Sequence, residues 1–483
     1  MKTEHTIKNL GISAILNIIK QCCNIIFPLI TFPYVSRILG SSNFGKYSFS
    51  DSVVSYFMLF AALGVPTYAV REGARIREDR DTLIQFSSEI FSINLISLVI
   101  SYVFFVYAAI FMRRSGQDVL LIYILSVNII TSVLGRDWIN SIYEDFLFIT
   151  VRYVIFQTLA VLLIFLLVRR RNDYVIYTII MLFSNSGAYI SNIIYTRKYI
   201  PIRITYHFNL RKHLKPIVNL FCISIALTVY IHSDVTILGF LRSEEEVGVY
   251  TLSSKVYTIV KALLNAVIMV AIPRLSNYLG RNDTDAYNTL LYKLKIALAM
   301  LVFPCVTGLF CMSSEVMWLI GGSEYLYGGR TLSILCLALV FAVFSCYYAQ
   351  GILVPNRKEN KFFIATIISA TVNIILNLIT ISSHGMAAAA VTTVMAELIV
   401  MLLCRHYSRP LYKKRKDADK ASVFMGCISI VMVCGISKLV IPNIILRSMV
   451  GIFISIILYF FILILMKNSI LLDILKKSMI INK

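Results

Sequence analysis

The chain has 483 residues, 58% of them apolar and 15% charged, where a soluble globular chain is about half apolar and a quarter charged. Its 46 Lys and Arg outnumber 25 Asp and Glu, giving +21, but these cations sit in short loops between apolar runs, a membrane pattern and not a nucleic-acid footprint. No CxxC or Cys/His ligand spacing, P-loop, dinucleotide fingerprint or nucleophile–base set is present, so no catalytic residue, metal or cofactor is expected and the chain reads as a non-enzyme.

The apolar runs are about 20 residues each, long enough to cross a hydrocarbon core of roughly 30 Å. Backbone amides there must be satisfied internally, so each run reads as a helix. Spans are expected near 10–36, 47–66, 87–111, 118–137, 146–168, 174–196, 217–240, 250–272, 295–312, 331–354, 362–382, 386–405, 422–440 and 447–466. The first is too long for a signal h-region and reads as a retained helix. Fourteen spans put both termini on one side. The segments on that side hold 30 of the Lys and Arg and the opposite loops 11, which makes the terminal side cytoplasmic. One loop, Arg169-Arg170-Arg171, breaks the rule.

The first span carries Ser13, Asn17, Lys20, Gln21 and Asn24, spaced to share one helical face. Lys20 lies at least about 15 Å from either end of its span. An ammonium facing lipid there costs at least about 2.5–3.5 kcal/mol, so it is expected to face a wet cavity. Pro28 and Pro33 remove backbone bonds further along and make a bend, and so a gating role, available. Asp51 lies on the second span and Arg152 near the inner end of the fifth. The seventh holds Ser224, Thr228, His232 and Asp234. The eighth repeats the stripe of the first with Ser254, Thr258, Lys261 and Asn265, and Lys255 beside it. The eleventh offers Thr366, Ser369, Asn373, Asn377 and Thr380, and the twelfth Glu397. Two readings stay open for these polar groups: an aqueous, cationic lumen for an anionic, hydroxyl-rich cargo, or interhelical hydrogen bonds and ion pairs that fix packing. On the first reading Asn17, Lys20, Gln21, Asn24, Lys255, Lys261, Asn373 and Asn377 bind substrate, and Asp51, Asp234 and Glu397 are candidates for proton coupling or ion pairing.

Ile38-Leu39-Gly40 followed by Gly45, Tyr47 and Ser50 has an echo in Ile237-Leu238-Gly239 followed by Gly248, Tyr250 and Ser253. The last three recur 203 residues later, and both copies join an odd span to the next even one on the same side. The expected architecture is therefore all-α and polytopic, with two parallel six-helix lobes, 1–200 and 201–410, and a C-terminal helix pair, 411–483. Parallel repeats of this kind bind substrate between the halves.

The stretch 29–49 with Pro33, Arg37-Ile38-Leu39-Gly40 and Phe44-Gly45-Lys46-Tyr47-Ser48 resembles the opening of bacterial polysaccharide-unit flippases. So do Asp234–Gly239, Val247–Tyr250, Ser254-Lys255, Pro273-Arg274-Leu275 and Gly321-Gly322-Ser323-Glu324-Tyr325. The whole chain looks like an O-antigen flippase of the Wzx type, in the superfamily that also holds multidrug-and-toxin exporters and the peptidoglycan-precursor flippase. The resemblance implies a V-shaped lumen, an undecaprenyl-diphosphate-linked oligosaccharide as cargo, and the bacterial inner membrane as location. It also implies a final helix pair that grooves the lipid tail. The partners it implies are that lipid-linked oligosaccharide, membrane lipids, and a polysaccharide polymerase and chain-length regulator. A cation-coupled multidrug exporter and a non-transporting scaffold for a polysaccharide-synthesis complex are the alternatives. The exporter would carry acids and aromatics in its lumen, and the scaffold would not need the polar stripes.

Overall fold

The computed structural model describes residues 10–114, 116, 118–206, 209–413, 420–468 and 471–472. It is helical, with no strand among the described residues. The helices are α1 (Leu10–Ala62), α2 (Val65–Arg75), α3 (Arg80–Arg114), α4 (Leu120–Gly135), α5 (Asp137–Ile142), α6 (Phe146–Leu167), α7 (Tyr174–Thr196) and α8 (Leu210–Leu241). They continue with α9 (Glu244–Gly280), α10 (Thr284–Cys311), α11 (Ser313–Gly321), α12 (Gly329–Tyr348), α13 (Glu359–Ser408), α14 (Lys420–Val440) and α15 (Ile444–Leu465).

Among the described residues eleven segments are long and apolar enough to cross a membrane, and α8, bent by 45°, makes a twelfth. At 1.5 Å per residue, α1 and α13 would each run to about 75–80 Å if straight, more than twice a hydrocarbon core. Each is broken at one glycine. Gly40 (φ 75°, ψ 173°) and Gly385 (φ 55°, ψ −139°) hold non-helical backbone in a region that only glycine enters without strain. Counting the halves of α1 and α13 separately, and α8 as one span, gives about fourteen among the described residues, and the chain is a multi-pass membrane protein. Both prolines of α1 lie inside continuous helix; the break falls at Gly40, seven residues beyond Pro33. The short helices α2, α5 and α11 cannot span, and the sequence pattern did not mark them.

Loop contacts respect the alternation of sides within each of two compact units, Met1–Gly248 and Val249–Lys483. In the first unit Asn43 Nδ2 donates to the Arg171 carbonyl at 2.8 Å, placing the dissenting arginine loop beside the Gly40 break, where fourteen spans require it. Asp173 accepts the backbone N–H groups of Arg169 and Arg170 at 2.9 and 2.8 Å and so folds that loop on itself. At the other end Arg77 meets Glu144 at 2.8 Å and His213 meets Glu89 at 3.1 Å. An apolar cluster of Val65, Tyr68, Leu83, Trp138, Ile139 and Ile217 closes that end. In the second unit Glu315 faces Lys438 and Arg447 at one end, while Lys413 N–H donates to Asn288 Oδ1 at the other.

Polar side chains join helices inside the bundle. Asn94, Ser97 and Ser101 of α3 donate to the carbonyls of Ala61, Phe60 and Phe57 at 2.6–2.7 Å. The first two of these acceptors lie in the last turn of α1, where no intrahelical donor follows. The outer stripe of α3 is apolar and bare, with Val99, Val103, Phe104, Tyr107 and Phe111 exposed, as lipid requires and water does not tolerate. In the second unit α14 and α15 pack on α10 through Met300, Met312, Val423, Ile430 and Tyr459, with Tyr459 OH donating to the Met300 carbonyl at 2.7 Å.

Candidate functional site

In the first unit Lys20 of α1 points toward α6, with Nζ 5.8 Å from the centre of the Tyr153 ring. It stands within electrostatic reach of Asp137 and Arg152. The Arg152 side chain is only 6% exposed, and one terminal nitrogen meets Asp137 Oδ2 at 2.8 Å. Asn192 of α7 donates to the other Asp137 oxygen at 2.9 Å and to the Gly135 carbonyl at 2.6 Å, and Asn140 donates to Asn192. Asp137 is thus held in place from two sides. Arg152 Nε and Nη1 are buried and meet no protein acceptor. A buried guanidinium with two vacant donors is costly, and a phosphate or carboxylate is the group its planar fork fits. The break between α4 and α5, where Arg136 turns left-handed (φ 51°), brings Asp137 to this position. Sequence reading noted Arg152 at a span edge and passed over Asp137, because nothing local in sequence marks a pair fifteen residues apart on different helices.

In the second unit Lys261 of α9 and Glu397 of α13 form an ion pair at 2.5 Å, and Tyr257 OH donates to the same carboxylate oxygen at 2.8 Å. The Glu397 side chain is 5% exposed and that of Lys261 is 28% exposed. The pair is neutral as a unit. Asn373 and Asn377 are buried: Asn377 donates to Asn373 at 3.2 Å and accepts from Thr392 across the Gly385 break. Asn377 therefore joins the two halves of α13. Lys255 is exposed, one turn and a half before Lys261 on α9.

The remaining expected residues are dispersed. Gln21 and Asn24 are exposed on α1 beside Lys20, while the side chains of Ser13 and Asn17 lie outside the described residues. Asp234 is buried on α8 and Asp51 half-buried on α1. Near Asp234, Thr236 Oγ1 donates to Ser52 Oγ at 3.0 Å and joins α8 to α1. No group of three or more His, Cys, Asp or Glu that could hold a metal ion occurs among the described residues.

The two copies of the glycine motif meet. A Cβ on Gly45 would lie 1.8 Å from the Glu244 carbonyl oxygen, and one on Gly248 would lie 1.9 Å from that of Ser41. Ser41 and Glu244, like Gly45 and Gly248, are 203 residues apart. The contact is therefore self-complementary, the signature of a local two-fold axis. Lys46 and Ser42 add side-chain contacts to Glu244 at 3.6 and 3.0 Å.

Residues 8–279 match the family described as polysaccharide biosynthesis protein. A protein of Escherichia coli (strain K12) named for O-antigen transport is 24% identical over 266 residues, 54% of this chain and 64% of that protein. The match thus spans slightly less than two thirds of that relative. A Shigella dysenteriae protein named likewise is 24% identical over 78% of this chain and 95% of its own length. Among solved structures, the lipid II flippase MurJ in an inward closed conformation superposes with a TM-score of 0.76, at 17% identity, over 95% of this chain and 99% of that one. At this identity the superposition speaks for the fold.

Proposed function

The chain belongs to the polysaccharide biosynthesis protein family, and on that premise we propose that it is a flippase for lipid-linked saccharides. Its cargo on this reading is an undecaprenyl-diphosphate-linked oligosaccharide repeat unit, turned across the bacterial inner membrane by alternating access. Both termini are cytoplasmic, by the Lys and Arg bias. The observation that carries the reading is the cationic pair of Lys20 and Arg152 inside the helical bundle, faced by the acid Asp137, with two guanidinium nitrogens unspent. Charges in such a place default to function, and their sign suits a diphosphate. Exposed Gln21 and Asn24 on the same helix supply donors and acceptors for sugar hydroxyls. Lys261 is already neutralised by Glu397, so in this mechanism it contributes less field than Lys20. The Lys261–Glu397–Tyr257 cluster is where a coupling proton would act, since protonating Glu397 would release Lys261. Gly40 and Gly385 are the backbone positions at which α1 and α13 can reorient.

The test is complementation of a deletion strain of the host. Substitutions K20Q and R152Q are expected to lower surface polysaccharide by about tenfold each, the effect of losing one charge-assisted contact. R152K, which keeps charge without the fork, should fall between. Wild-type polysaccharide from both glutamine variants at normal protein abundance would remove the cluster from the mechanism.

A further inference from the structure

The second unit holds a cavity of about 250 Å³ at the end of α10, α12 and α13. Under the topology proposed above this end faces the cytoplasm. Its lining includes Lys295, Arg405, Arg409 and Lys413, with Tyr292 and Tyr412, and no acid among the described lining residues. The walls are built. Tyr347 OH donates to the Leu291 carbonyl at 3.1 Å and ties α12 to α10 beneath it. The Lys413 N–H bond to buried Asn288 at 2.7 Å draws the segment after α13 across it. The positive-inside rule explains cations at this level; it does not bring four of them from two helices and a following segment around one hollow.

The hollow shares one lining residue with a second feature. Lys295 also lines an apolar groove of about 790 Å³ that climbs α10 past Ile296, Ala299 and Phe303 to Thr307, walled by Phe344, Val423 and Phe424. The twelve residue steps of α10 from Lys295 to Thr307 make that groove about 18 Å long, more than half the depth of a hydrocarbon core. A cationic cup that meets an apolar groove of that length at Lys295 matches a phosphate-headed long-chain lipid. A cup of several cations suits a diphosphate better than a phosphodiester with one charge, and tyrosine faces beside them suit a sugar ring.

We propose that this rim pocket is a capture site for a polyprenyl diphosphate saccharide, separate from the Lys20–Arg152 cluster and occupied before it, with the diphosphate among Lys295, Arg405, Arg409 and Lys413. The proposal rests on the cargo class proposed above. The test uses the full-length protein in lipid nanodiscs and undecaprenyl diphosphate as probe, with binding read by native mass spectrometry against phosphatidylglycerol. Arg405 and Arg409 are exposed, so R405Q/R409Q should fold, and R405K/R409K keeps the charge. The expected result is affinity for undecaprenyl diphosphate lowered about tenfold in R405Q/R409Q, largely recovered in R405K/R409K, with phosphatidylglycerol binding little changed. Equal diphosphate affinity in R405Q/R409Q and wild type overturns the pocket alone. A loss confined to phosphatidylglycerol overturns it in favour of a bilayer-lipid site. If wild-type protein binds no undecaprenyl diphosphate while retaining phosphatidylglycerol, the cargo class is wrong and the pocket falls with it.

Discussion

Single residues carry the electrostatics of this protein. Lys261 and Glu397 illustrate how burial ranks the partners of one pair. Glu397 is the deeper of the two, so K261M strands a buried carboxylate, whereas E397Q leaves a lysine that can still reach solvent. The expected order of thermal stability in detergent is wild type, then E397Q, then K261M, with the double variant less destabilised than the sum of the singles. Strict additivity would mean that the pair does not interact energetically. Outside the spans, Asp79 caps α3: Thr82 donates to it through Oγ1 at 2.6 Å and through N–H at 3.2 Å. The Thr82 hydroxyl, first, and then its amide hold the Asp79 carboxyl below the usual carboxylate range. A carboxyl with a lowered pKa stabilises the fold above its ordinary value of about 3.9 and stops doing so as pH falls through the lowered one. D79A should therefore speed amide exchange in the first turn of α3 at pH 7, with the difference from wild type closing in strongly acidic buffer.

Helical elements are set by where glycine stands. Gly45 and Gly248 let two backbones touch, and there is no space for even one methyl group at either: the added carbon would lie within 2 Å of a carbonyl oxygen. G45A and G248A should each cost about 1–3 kcal/mol, as overpacking does, read as a fall in unfolding temperature. Because the contact is two-fold, the two variants should behave alike, and a large effect from only one of them would contradict the symmetry. The serines and asparagine of α3 that bond the end of α1 belong to the same scale. They show why polar residues inside spans so often serve packing, as Asn377 does here through Thr392.

For the whole molecule the prediction concerns sides. Single cysteines at positions 43 and 171, which meet through Asn43 and the Arg171 carbonyl, should label from one face of the membrane. Cysteines at 203 and 413 should label from the other. Labelling of position 171 from the same face as 203 would remove a span between them and revive the anomaly of the arginine loop. That loop breaks the charge rule, yet Asp173 accepts two of its backbone amides and Asn43 ties it to α1 beside the Gly40 break.

The apolar helices were legible in the chain itself, because hydrocarbon imposes a length and a composition on any segment that crosses it. That Lys20, Gln21 and Asn24 follow one another on one helix was legible for the same reason. What only the tertiary structure decided is which charges meet. Lys261 finds Glu397 across 136 residues, Arg152 finds Asp137 through a left-handed turn at Arg136, and four cations converge on one hollow at the end of α10. Those encounters depend on how each helix is rotated about its axis and where its neighbours end. Spacing along one helix sets the first only relative to itself, and no local pattern contains the second.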